Sequence, residues 1–116
     1  MQLLLLSNST LPGEKYLGWP EEHLKQFLGV PKRIAFVPFA AVTMSLDDYA
    51  KRTQEAFAAL GHELFSLHSE IDKVKALKTA EAVAVGGGNS FQLLRTLYST
   101  ELVRALRVRV MGGLPY

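Results

Sequence analysis

Apolar residues along the chain fall into short continuous blocks that alternate with longer stretches at helical spacing. The blocks are Leu3–Leu6, Ile34–Val37, Glu63–Leu67 and Ala82–Val85. Such runs, closed by turn residues, predict strands of a parallel sheet buried on both faces. The stretches between them predict helices. Pro20 suits a first helical position, Glu21 and Glu22 follow, Leu24, Phe27 and Leu28 share one face, and Gly29 stops the element. His23 falls on the exposed side, and Trp19 is read as a lid on the core. Leu46, Tyr49, Ala50, Thr53, Phe57 and Leu60 repeat on a second helix, with Ser45 as cap, Asp48 three residues on, and Gly61 as stop. Ile71, Val74 and Leu77 mark a short helix with Lys73, Lys75 and Lys78 on its wet side. Phe91, Leu94, Leu97 and Tyr98 follow the fourth block, and Thr100 is the expected cap of a last helix carrying Leu102, Val103, Leu106 and Val110. Leu114–Tyr116 opens a fifth strand.

Strands alternating with helices through short links imply an α/β fold, a three-layer parallel sheet flanked by helices. The 116 residues suffice for one domain, 1–116, with a real core. There is no internal repeat or linker.

The stretch from Ala82 to Leu94 carries the chemistry. It reads as a buried strand, then Gly86-Gly87-Gly88, then a helix start capped by Asn89 or Ser90. Glycines let the main chain approach a ligand closely, and free N–H groups at such a turn favour a bound anion or a developing oxyanion. The other reading is a plain strand-to-helix connection whose glycines only relieve crowding. Ser7-Asn8-Ser9-Thr10 forms a polar loop at the carboxyl end of the first strand, where open α/β sheets bind ligands. A solvated loop with local side-chain caps reads equally well.

Composition narrows the chemistry. Cysteine is absent, which excludes disulfides, thiolate nucleophiles and thiolate metal sites. Net charge is only +2. The local cluster Arg104, Arg107 and Arg109 reads as the solvated side of a helix, since no aromatic residue or nucleic-acid motif accompanies it. The leading Met1–Leu6 run is short, lacks a preceding basic residue and meets polar residues at once, so it is not read as a signal peptide. No run approaches a membrane span of about 20 apolar residues. The expectation is a cytoplasmic protein with no cofactor, no metal, no nucleic-acid partner and no membrane. Neither the phosphate loop G-x-x-x-x-G-K-[ST] nor the dinucleotide fingerprint is present in its place.

For nucleophilic hydrolysis the residues supply an oxyanion hole and little else. None of Ser7, Ser9, Ser45, Ser66, Ser69, Ser90 or Ser99 sits in a G-x-S-x-G elbow. Ser90 stands at the glycine turn, but no histidine lies near it in sequence. Asp47 and Asp48 are adjacent at a helix start and point different ways, so they are not read as a paired acid and base. His62 and His68, bracketing a strand and roughly 20 Å apart, are read as loop residues.

The chain resembles the peptidase E family of α-aspartyl dipeptidases. The resemblance rests on Leu3–Gly13, on Val37-Pro38-Phe39-Ala40 with Val42-Thr43, and on Val85–Leu94. It implies a cytoplasmic serine peptidase with a class I glutamine amidotransferase-like fold, related to cyanophycinase. Such an enzyme removes amino-terminal aspartate from dipeptides through an acyl-enzyme and uses no metal. By resemblance Gly88 supplies an oxyanion-hole N–H, and Gly86, Gly87, Asn89, Ser90, Asn8 and Ser9 form the binding loops. The family's nucleophile follows shortly after the segment matching Gly113–Tyr116, and its base and orienting residue come later still. The chain is therefore expected to be an incomplete, amino-terminal half of the fold, inactive alone. With the next strand missing, Ala82–Val85 would present an open edge to a partner or to aggregation. The alternative is a non-catalytic module that binds aspartyl peptides, small anions or a protein partner.

Overall fold

Strand β1 (Arg33–Val37) takes the centre of the sheet because both of its faces are apolar. The computed structural model, which describes residues 1–116, pairs it in parallel with β2 (Glu63–Ser66) on one side and β3 (Ala82–Val85) on the other, in the order β2-β1-β3. Ile34 stands beside Leu64 and Ala82, and Ala35 beside Phe65 and Val83. Alternation along β1 then sorts the core into two layers. Ile34 and Phe36 pack with Leu24, Leu28 and Phe57 of α1 (Glu21–Leu28) and α2 (Leu46–Ala58). Ala35 and Val37 pack with Leu77, Leu97, Leu102 and Leu106 of α3 (Lys73–Leu77), α4 (Ser90–Ser99) and α5 (Leu102–Met111). Each large apolar side chain buried this way contributes about 1.5–3 kcal/mol. The α/β, three-layer reading of the sequence is the observed fold.

Local signals account for most element ends. Ser45 Oγ accepts from the Asp48 N–H at 3.1 Å and starts α2. Pro20 precedes α1, and Gly29, at φ 67°, ends it. Seven expectations need correction. Leu3–Leu6 is not a buried strand. Leu4 N–H donates to Tyr116 O, Tyr116 N–H to Gln2 O and Val83 N–H to Pro115 O. The amino terminus thus lies outermost, beyond 114–116, with Leu3 and Leu5 exposed and Leu4 packed against the α1–α2 layer. The far edge of β3, expected open, carries Pro115 as a partner.

Ile71 lies outside α3 and is fully exposed. The helix starts instead at Asp72, whose carboxylate accepts from the Lys75 N–H. Lys73 is not on a wet side but turns back, its Nζ donating to the carbonyls of His68 and Glu70. Thr100 does not cap α5: its hydroxyl donates to Thr96 O at 2.6 Å and closes α4, while Glu101 makes the turn at φ 62°. Of the apolar positions on α4 only Leu97 is buried, and Phe91, Leu94 and Tyr98 face solvent. Arg109, read as solvated, donates to Leu77 O at 3.0 Å and Ala80 O at 2.7 Å, satisfying carbonyls at the end of α3. No helix is long and apolar enough to cross a membrane.

Candidate active site

The glycine turn sits where β3 hands over to α4, and main-chain bonds to the segment leaving β1 fix it. Gly86 N–H donates to Val37 O at 3.0 Å, extending the β1–β3 ladder by one rung. Asn89 N–H donates to Ala40 O at 2.8 Å. Asn89 Oδ1 accepts from the Gln92 N–H at 3.0 Å, so Asn89 rather than Ser90 is the cap. Gln92 Nε2 reaches back to Ala41 O at 3.3 Å.

Between these anchors Gly88 takes φ 141°, a conformation side chains avoid. A Cβ there would overlap the Ala40 carbonyl oxygen and lie 2.8 Å from its carbon. A Cβ at Gly86 would overlap the Tyr49 hydroxyl, whereas Gly87 faces open space. The glycines at 86 and 88 are thus required by close approach. The Gly88 N–H donates to nothing within the chain, and the residue is exposed.

A cavity of about 560 Å³ opens beside this turn. Its wall includes Gly86, Gly87, Gly88, Ser7, Asn8 and Ser9, so the two loops singled out in sequence meet around one space. Asn89 and Ser90 lie outside the lining, on the helix start. No charged side chain lines the cavity, so any negative charge within it would be met by main-chain N–H groups and hydroxyls.

Tyr49, placed in the core by its spacing, reaches this turn from α2. Its ring meets Phe36 edge-on at 5.1 Å. Burial pushes the phenol up to about 12; the Tyr16 hydroxyl adds to the rise, and the Gly87 N–H and Arg52 oppose it. Tyr49 is therefore neutral at ordinary pH. Tyr16 is itself held by Thr53 Oγ1 at 3.1 Å, and Thr53 donates to the Tyr49 carbonyl at 2.9 Å. Sequence spacing alone held no sign of this role.

None of the three histidines stands at the glycine turn. His23 packs edge-on with Trp19. His62, buried, accepts the Lys32 N–H on Nδ1 at 3.0 Å, and burial followed by the Lys32 charge depresses its pKa. His68, read as a loop residue, instead bridges two groups that the sequence kept apart. Its Nδ1 lies 2.5 Å from Ser66 Oγ and its Nε2 2.6 Å from Asp47 Oδ1. Ser66 and His68 are two residues apart at the end of β2, but Asp47 arrives from the start of α2, and no local signal announces that meeting.

The profile of Peptidase family S51 matches residues 3–116. A protein named Peptidase E from Nostoc sp. is 44% identical over 116 residues, covering 99% of this chain and 48% of the relative. Peptidase E of Shigella flexneri serotype 5b is 41% identical, covering 100% of this chain and 51% of the relative. The chain thus spans about half the length of the curated relatives it matches. A crystal structure of a candidate peptidase E protein from Listeria monocytogenes EGD-e superposes with a TM-score of 0.69 at 22% identity, over 83% of this chain and 50% of that one. That likeness confirms the fold.

Proposed function

We infer the function from the family, because this chain belongs to Peptidase family S51. The reading is hydrolysis of peptides by a serine acyl-enzyme, with dipeptides bearing an amino-terminal aspartate as substrates. In it this chain contributes the glycine turn. The observation that carries the reading is the unpartnered N–H of exposed Gly88, in a turn held by the Asn89 N–H bond to Ala40 O at the edge of the cavity. A donor held in advance opposes no reorganisation when a carbonyl oxygen becomes an oxyanion, and one such donor is worth about 2.7–4 kcal/mol.

The 116 residues alone are read as inactive on such a dipeptide. Ser90 has no histidine beside it, since all three are engaged elsewhere. The cavity also lacks a cation to meet an aspartate side chain. Asp-Leu incubated with the 116-residue chain, its intact mass checked in the same sample, is expected to stay uncleaved. Cleavage lost in Ser90→Ala would overturn this and make Ser90 the nucleophile.

A second reading, a binding module, is favoured by the meeting of the Ser7–Ser9 and Gly86–Gly88 loops around one cavity. Saturable shifts of the Asn8 and Gly88 amides by Asp-Leu, without turnover, would select it over the first.

A further inference from the structure

We propose that Ser66, His68 and Asp47 form a second nucleophilic centre, separate from the glycine turn, able to accept the acyl group of small carboxylic esters. The three groups are joined in series: Asp47 Oδ1 to His68 Nε2 at 2.6 Å, and His68 Nδ1 to Ser66 Oγ at 2.5 Å. The carboxylate fixes the tautomer. With Nε2–H donating to Asp47, Nδ1 is left as an acceptor for the Ser66 hydroxyl proton. This is the logic of a base oriented by a third group, with the ring nitrogens in exchanged roles.

The surroundings suit a small polar substrate. Ser66 is buried, at 8% exposure, and lines a depression of about 220 Å³. Lys51, which has no ion-pair partner, lines the same depression and supplies a positive charge for a carbonyl oxygen that becomes an oxyanion. The backbone around the serine is held: Ser69 Oγ donates to Ser66 O, and Lys73 Nζ to His68 O.

In the acyl transfer, Ser66 Oγ bonds to the ester carbonyl carbon while its proton passes to His68 Nδ1. The bond from that carbon to the alkoxy oxygen then breaks, and the alcohol leaves with the proton from His68. Water reverses the sequence, giving its proton to His68 and its oxygen to the acyl carbon, and Ser66 recovers its proton as the acid departs.

The test is labelling of the 116-residue chain with a fluorophosphonate probe, which Ser66 would attack at phosphorus with loss of fluoride. Peptide mapping should place the adduct on Ser66. His68→Gln should slow labelling by at least about 100-fold, the low end for a general base. Asp47→Asn should slow it less, since that carboxylate is 91% exposed and shares its charge with solvent. A purely structural staple linking helix to sheet would show none of this. No adduct on Ser66 in the wild-type chain, an adduct on another serine, or an unchanged rate in a folded His68→Gln would overturn the proposal. Acetate release from p-nitrophenyl acetate, lost in Ser66→Ala, would confirm turnover.

Discussion

Replacing Gly88 with alanine tests whether the glycine turn is built by close approach. Gly88 sits at φ 141°, and an added Cβ would overlap the Ala40 carbonyl, which is also the acceptor of the Asn89 N–H at 2.8 Å. Neither obstacle is a flexible side chain. The backbone must therefore rotate at position 88, or the loop after β1 must move. Holding a non-glycine residue in such a region costs about 1–3 kcal/mol. Losing the Asn89–Ala40 bond costs about 0.5–1.5 kcal/mol more. Against these, alanine restricts the unfolded chain and returns about 0.4–1 kcal/mol. The net expectation is a loss of about 0.5–4 kcal/mol. Gly87→Ala is the matched control: nothing lies within 4 Å of its Cβ, and its φ is not in the left-handed region. It keeps only the favourable unfolded-state effect. Urea unfolding of the two variants at equal slope reads the difference directly. If Gly88→Ala unfolds within about 0.5 kcal/mol of Gly87→Ala, close approach to Ala40 does not shape the turn, and the case for a prepositioned Gly88 N–H falls with it.

Three further outcomes follow from single contacts. Asn89→Ala removes the acceptor for the Gln92 N–H and should cost about 1 kcal/mol in the same unfolding assay; no loss would mean that water caps α4 equally well. Arg109→Met should cost about 1.5–3 kcal/mol, because the Leu77 and Ala80 carbonyls lose a charged donor. Arg104→Met, on the exposed side, should stay within about 0.5 kcal/mol, and equal losses in the two would refute the capping role. His62 has a folded pKa below its unfolded one, through burial first and Lys32 second. The unfolded chain therefore binds its proton more readily, and stability is complete above about pH 6.5 and lost as pH falls through the folded value. Protonating Nδ1 would also break its bond from the Lys32 N–H. The urea midpoint should fall more between pH 7.5 and pH 5 in wild type than in His62→Gln (pH values roughly spanning the imidazole range), and identical falls would exclude His62 as the cause.

What the sequence makes legible is what a few consecutive residues decide. β1, β2 and β3, the Ser45 cap, the Gly29 and Gly61 stops and the parallel sense of the strands all follow from short patterns. The errors arise where distant residues compete for the same groups. Leu3–Leu6 carries a strand pattern, yet its ladder partner is only the 114–116 segment, and only Leu4 packs against a helix layer while Leu3 and Leu5 stay exposed. On α4, helical spacing offers two apolar faces, Leu93 with Leu97 and Phe91 with Leu94 and Tyr98; only packing against α5 and β1 chooses the first. Arg109 shares its charge and spacing with its neighbours, and differs only because the end of α3 lies across from it.

The candidate sites divide in the same way. The Gly86–Asn89 turn is visible because its strand, glycines and cap are contiguous, and Asn8 and Ser9 because they close an apolar run that reads as a strand, although the run is not one. Tyr49 and Asp47 are not visible, and one helix explains both. Residues two apart on a helix point about 200° from each other, at about 100° per residue. From the first turn of α2, Tyr49 therefore turns toward Phe36 and the glycine turn beyond β3, while Asp47 turns the other way, toward His68 at the end of β2. The Ser45 cap fixes where α2 begins, and so sets the rotation that delivers each side chain. A shift of that start by one residue would turn both through about 100° and break both contacts. The two sites are therefore distinct in chemistry but coupled through one helix start. Tyr49→Phe and Asp47→Asn disturb them separately, whereas loss of the cap disturbs both.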